Sequence, residues 1–190
     1  MKLGTILLSA ALVTAVAAPG AAGAQVAPKT SGEWIYIRKG ADSLRAYLAS
    51  PVRSSLSPAI IVIHEIYGLT GWEPTVADRL AKAGYIAIVP DLLSSKHGNT
   101  PADEAEARKL IGELEDERVT ADLDATYAFL DGFPAVDKGK IGTIGFCWGG
   151  GQSFRYATNN PNLRAVVVAY GPAPDTADMR RITAPVLGIY

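Results

Sequence analysis

The sequence predicts an α/β domain with a mostly parallel central sheet, helices on both faces and an antiparallel hairpin at the N-terminal edge. Three observations carry this expectation. Several short runs are apolar throughout, as in AIIVIH from Ala59 to His64, the pattern of strands buried on both faces of a parallel sheet. Between those runs apolar residues recur at helical spacing, so strands alternate with helices. Ahead of them lie two segments in which apolar and polar residues alternate, as in a half-buried antiparallel pair.

The chain has 190 residues, and its opening is expected to stand outside the fold. Lys2 forms a minimal basic region, Leu3 to Ala18 an apolar stretch, and Ala22, Gly23 and Ala24 a small-residue cleavage site before Gln25. This is the pattern of a secretory signal over residues 1–24, and the apolar stretch is shorter than the ~20 residues a membrane span needs. A polar leader over 25–32 follows, and the domain is expected over 33–190. The implied address is periplasmic or secreted, with no membrane contact once the signal is removed.

Within the domain, Glu33 to Arg38 and Leu44 to Ala49 form the hairpin, joined through Lys39, Gly40, Ala41 and Asp42. Pro51 to Pro58 is a turn-rich loop. The strand from Ala59 comes next, followed by a helix on which Trp72, Val76 and Leu80 share one face and Gly84 supplies the stop. Tyr85 to Val89 is the next apolar strand. Asp103 to Glu117, with seven carboxylates, reads as one solvated surface helix. Val119, Leu123, Tyr127 and Leu130 mark another helix ahead of Gly132 and Pro134. The remaining strands are Ile141 to Phe146, Ala165 to Ala169 and Val186 to Ile189, with a helix over Gly149 to Thr158.

Composition narrows the function. Eighteen basic against 19 acidic residues leave a net charge of −1, so no surface is built for nucleic acid or lipid headgroups. One cysteine precludes an internal disulfide, and with two histidines it forms no metal-binding spacing. A thiol redox protein is disfavoured by the lack of a resolving cysteine.

The densest chemical signal is KIGTIGFCWGGG, Lys140 to Gly151. A residue thrust out between a strand and a helix adopts a strained backbone that is tolerable only beside nearly bare neighbours, and Gly145 and Gly149 flank Cys147 at that spacing. The pattern is the nucleophile elbow G-x-S-x-G with cysteine in place of serine. The helix that follows points free N–H groups at Cys147, where a developing anion would be stabilised. The plainer alternative is Cys147 as a small buried hydrophobe. Ligands in an open parallel sheet gather at the carboxyl ends of the strands. That brings His64 and Glu65 into consideration after one strand, and Asp91 after another. Adjacent residues on a strand face opposite ways, so His64 is expected to point away and serve structurally beneath the site. Glu65 either works beside Cys147 or merely caps a loop or pairs with an arginine. Asp91 is expected to fix its loop, and His97, in SSKHGNT, to be an exposed loop residue.

HEIYGL at His64 to Leu69, GYIAIVPDLL at Gly84 to Leu93 and IGTIGFCWGGG at Ile141 to Gly151 occur in this order. With them the chain, from about Trp34 onward, resembles the dienelactone hydrolase family, a cysteine-using branch of the α/β hydrolases. The resemblance implies an α/β-hydrolase fold and hydrolysis of a small ester or lactone, with no cofactor, metal or nucleic acid. Cys147 would attack the carbonyl carbon and form an acyl-enzyme. The backbone N–H groups of Ile66 and Trp148 would form the oxyanion hole, and Glu65 would help to generate the thiolate.

The family pattern also includes an aspartate just beyond the strand at Pro185 to Tyr190 and a later histidine. The sequence reaches Tyr190 without either, so the expectation is a fold incomplete at its C-terminal end and a chain inactive as it stands. Asp175 and Asp178 look misplaced for the acid. Arg108 is the single arginine on the helix near Asp103 to Leu114 from which the resemblance implies a substrate-holding arginine, yet its spacing does not put it in that role. The alternative function is a non-catalytic binding or scaffold protein that keeps the hydrolase fold.

Overall fold

The structure, a computed structural model, describes residues 29–190; the expected secretory signal and the first part of the expected leader lie outside the described residues. In chain order its elements are β1 (Thr30–Lys39), β2 (Asp42–Pro51), β3 (Ser57–Ile63), α1 (Trp72–Lys82), β4 (Ile86–Pro90), α2 (Ser94–His97), α3 (Glu104–Gly112), α4 (Asp116–Gly132), β5 (Val136–Phe146), α5 (Trp148–Asn159), β6 (Val166–Ala169), α6 (Thr176–Met179) and β7 (Val186–Ile189).

All seven strands form one sheet in the order β1-β2-β4-β3-β5-β6-β7. Strands β4, β3, β5, β6 and β7 run parallel, and the β1–β2 hairpin joins antiparallel through β2 and β4. The continuously apolar runs are explained by burial on both faces. Ile61, Ile63, Ile86, Ile88 and Ile141 pack with Leu123, Leu130 and Tyr156 of α4 and α5. The alternate residues Val62, Ala87 and Val89 pack with Ala77 and Ala81 of α1 on the other side.

Local chemistry sets the element ends. Helix α1 stops at a Schellman motif: Gly84 takes φ 98°, its N–H donates to Ala81 O, and the Tyr85 N–H donates to Leu80 O, both at 3.0 Å. Tyr85 is thus spent on the cap, and β4 begins one residue later than its sequence suggests. The carboxylate-rich segment forms two helices instead of one. Asp103 caps α3 through Oδ1, which accepts the Glu106 N–H at 2.8 Å. The helix ends at Gly112, and Leu114 turns into the core before Glu115, in extended conformation, restarts α4. Strand β1 begins inside the expected leader, with Thr30, Ser31 and Gly32 paired to Pro51, Ser50 and Ala49.

The hairpin is clamped to the helical layer by Asp122. This buried carboxylate accepts from Lys39 Nζ at 2.6 Å and from Ser95 Oγ at 2.7 Å. His97 departs from expectation. It closes the single turn of α2, is half-buried, and its Nε2 has no hydrogen-bond partner among the described residues.

Candidate active site

Three neighbouring strand ends, those of β3, β5 and β6, build the site. Strand β5 runs straight into Cys147, which takes φ 52° and ψ −117° before α5 begins at Trp148. Its N–H donates to Ala169 O at 3.0 Å, fastening the elbow to β6. The flanking glycines are required by close approach. A Cβ on Gly145 would collide with the Gly149 carbonyl, and a Cβ on Gly149 with the carbonyls of Ile63 and His64. Bare backbone at these two positions lets α5 sit directly on the ends of β3 and β5.

At the end of β3, residues Glu65 to Gly68 form a tight turn in which the Gly68 N–H donates to Glu65 O at 3.2 Å and Gly68 takes φ 74°. The turn is held from below. Thr100 Oγ1 accepts the Leu69 N–H at 3.0 Å and donates to Asp91 Oδ1 at 2.7 Å, while Asp91 Oδ2 accepts the Thr100 N–H at 3.0 Å. Asp91 is fully buried and 3.8 Å from Arg45, so it fixes the strand-end loop as its position suggests.

His64 is also fully buried, with its ring stacked on Trp148 at 5.5 Å between centroids and 13° between planes. Its Nε2 accepts the Leu92 N–H at 3.2 Å, which leaves Nδ1 to donate to Glu65 O at 2.9 Å. Burial lowers its proton affinity below the ordinary histidine value, against weaker opposing contributions from the hydrogen bond to Glu65 and the charges of Asp91 and Glu73. A neutral His64 therefore braces both the β3-end turn and the first residue of α5.

Glu65 and Ile66 follow the end of β3, and Cys147 and Trp148 follow the end of β5, its parallel neighbour in the sheet. Among the described residues no acceptor takes the N–H of Ile66 or of Trp148, and each belongs to a backbone segment flanking the elbow. The Glu65 side chain is half-buried, and its Oε1 accepts a 2.9 Å hydrogen bond from Tyr170 Oη. A cleft of about 460 Å³ opens beside the Glu65–Tyr170 hydrogen bond, lined by Glu65, Tyr67, Thr70, Trp72, Glu73 and Glu104 together with Tyr170; Cys147 is not among its lining residues. Trp72 meets Phe146 edge-on at 4.8 Å. Glu73 is buried, and its Oε2 accepts from the Thr70 N–H at 2.9 Å and from Thr70 Oγ1 at 2.7 Å.

Other candidates fall away from this centre. Arg108 is exposed on α3, and Glu104, one turn earlier, is the α3 residue that lines the cleft. Asp175 precedes α6, where its carbonyl accepts from Asp178 and Met179, and Asp178 pairs with Arg181 at 3.2 Å.

Tyr170 is the residue the sequence reading missed. In VVVAYG it stands first beyond an apolar strand and directly before Gly171, without the glycines two residues to either side that single out Cys147.

A parallel sheet with an antiparallel hairpin, helices on both faces and a strained elbow at a central strand end define an α/β-hydrolase fold. A crystal structure of a protein from Klebsiella pneumoniae subsp. pneumoniae, named a dienelactone hydrolase, shares it at a TM-score of 0.74 and 29% identity, over 84% of this chain and 72% of that one. The dienelactone hydrolase family model matches residues 44–190, and the chain belongs to that family. A Methylorubrum extorquens protein named a carboxymethylenebutenolidase is 34% identical over 76% of this chain and 54% of its own length. A Bradyrhizobium protein named a 2-oxo-3-(5-oxofuran-2-ylidene)propanoate lactonase is 31% identical over 82% of this chain and 66% of its own. The chain thus spans between about half and two thirds of these relatives.

Proposed function

We propose that the protein is an exported hydrolase of small carboxylic esters or lactones that works through a thioester on Cys147. The observation that carries this reading is the elbow: a cysteine held at positive φ between β5 and α5, with two unclaimed backbone N–H groups on the flanking segments. The names of the two curated relatives, both of which denote action on lactones, support the reaction class.

In this reading the Sγ–H proton passes to the Glu65 carboxylate as substrate enters. The thiolate then attacks the carbonyl carbon, and the displaced π electrons collect on oxygen, where the N–H groups of Ile66 and Trp148 receive the charge. Collapse breaks the carbon–oxygen ester bond, and the leaving alkoxide takes its proton from Glu65. Water later cleaves the thioester, releasing the acid and restoring the thiol.

The cleft also bears on substrate choice. Both relatives' names specify a lactone carrying a carboxylate, whereas Glu65, Glu73 and Glu104 line this cleft with no lysine or arginine among them. Like charges at such range repel, so uncharged acyl groups fit this cleft better than anionic ones.

The test is acylation with p-nitrophenyl acetate. One equivalent of p-nitrophenolate should be released rapidly per chain, with one acetyl group recovered on the peptide that carries Cys147. Cys147→Ala should abolish both signals, and the mono-p-nitrophenyl ester of succinate should react more slowly than the acetate. Undiminished release in the alanine variant would sink the cysteine reading; faster reaction of the succinate would overturn the preference.

A further inference from the structure

Cys147, φ 52°, and Tyr170, φ 45°, are the two non-glycine residues with positive φ among the described residues. A bulky side chain in that region is strained, and such strain persists where the surroundings over-determine it. The two are neighbours by construction. Phe146 and Ala169 are paired across β5 and β6, so Cys147 and Tyr170 each take the first position beyond adjacent strand ends.

The backbone of Tyr170 is tied down on both sides. Its N–H donates to Ile189 O at 2.7 Å, and Gly171, the next residue, packs so closely on the start of α5 that a Cβ there would strike the backbone of Gly150 and Gly151. The side chain is half exposed and carries its hydroxyl to Glu65 Oε1. Glu65 follows β3, Tyr170 follows β6, and β5 lies between them. With neighbouring strands about 4.8 Å apart, the two side chains together span two strand spacings, and their hydrogen bond joins the strand ends on either side of the one that carries Cys147.

We infer that Tyr170 is a positioning residue for the acylation step: its phenol, reaching across the end of β5, holds the Glu65 carboxylate where that group takes the Sγ proton. The inference rests on the cysteine reading above. With Oε1 engaged by the phenol, the proton goes to Oε2, and Tyr170 gains and loses none in the step. The phenol is suited to remaining a donor throughout, because its hydrogen bond to Glu65 raises its proton affinity, as do desolvation and the nearby charges of Glu65 and Cys147.

The experiment is a double-mutant cycle on the 190-residue chain with Tyr170→Phe, Glu65→Gln and the pair, following acylation by p-nitrophenyl acetate over a range of concentrations. Tyr170→Phe should lower the saturating rate about tenfold or more, the worth of a hydrogen bond to a charged group, and leave the half-saturating concentration unchanged. In the Glu65→Gln background it should change nothing further. An equal loss in both backgrounds, which a general disturbance of the fold would produce, overturns the inference, as does no loss in either. Failure of the parent chain to acylate is a separate outcome that removes the cysteine reading itself.

Discussion

His64 shows how one side chain beneath a site governs it without touching substrate. Its ring is fully buried, and both nitrogens are satisfied only in the neutral form with the proton on Nδ1. Protonation adds a donor at Nε2, where the Leu92 N–H already points, and puts a charge in a place without water. Because burial lowers its native affinity for a proton, the unfolded chain binds a proton that the folded chain refuses once the pH falls below the ordinary histidine value of about 6.5. Stability from this group is therefore fully present above that pH and drains away as pH falls towards the lowered native value. The slope is at most about 1.4 kcal/mol per pH unit. Urea midpoints measured at pH 7, 6 and 5 should decline, and His64→Gln should be less stable at pH 7 yet show a shallower decline. A slope unchanged in the variant would show that other groups carry the acid sensitivity.

At the scale of elements, what matters is how closely α5 sits on the strand ends. Gly149 brings the first turn of α5 against the carbonyls of Ile63 and His64. Gly149→Ala forces α5 away from β3 and should cost about 1–3 kcal/mol, the usual range for overpacking, read as a lower denaturant midpoint. Acylation of Cys147 should fall as well, because the same shift separates the Trp148 and Ile66 amides. Full stability in this variant would contradict the close contact. The glycines that impose it were legible in the sequence because bare residues at fixed offsets around a strand end mark a close backbone approach. The parallel strands β3, β4 and β6 were legible for a related reason, since burial on both faces leaves no polar alternation. The boundary between helices α3 and α4 was misplaced, because carboxylates at helical spacing run through Glu113 and Glu115, and what breaks the run is Leu114 seeking the core. Tyr170 was hidden for another reason: its partner Glu65 lies 105 positions away, and no local pattern encodes a bridge across an intervening strand. The half-burial of His97 likewise arises from packing around α2 and leaves no trace in SSKHGNT.

For the molecule as a whole, cover is uneven. The hairpin end of the sheet is closed by α1, α4 and the Asp122 clamp, but β7, at the opposite edge, is exposed along its whole length. Leu187 is 58% exposed, Ile189 51% and Tyr190 83%. A separate apolar groove of about 210 Å³ over β3, β5 and β6 is lined by Ile60, Leu80, Tyr85, Ile144 and Val167. An edge strand with free backbone donors and acceptors and apolar side chains is a template for pairing with another chain, and lysines on such an edge suppress it. The 190-residue chain should therefore associate as its concentration rises and bind an apolar dye while folded. Leu187→Lys with Ile189→Lys should shift sedimentation towards the monomer. These positions are already solvated, so the pair should leave the helical circular dichroism unchanged. The same edge bears on the site, because Ile189 O receives the Tyr170 N–H and Tyr190 Oη donates to Gly171 O at 3.0 Å. Pairing along β7 would stiffen the segment that holds Tyr170, so acylation of Cys147 should be faster in associated protein than in the lysine variant's monomer. Equal rates in the two states would show that the β7 edge and the Tyr170 bridge are energetically independent.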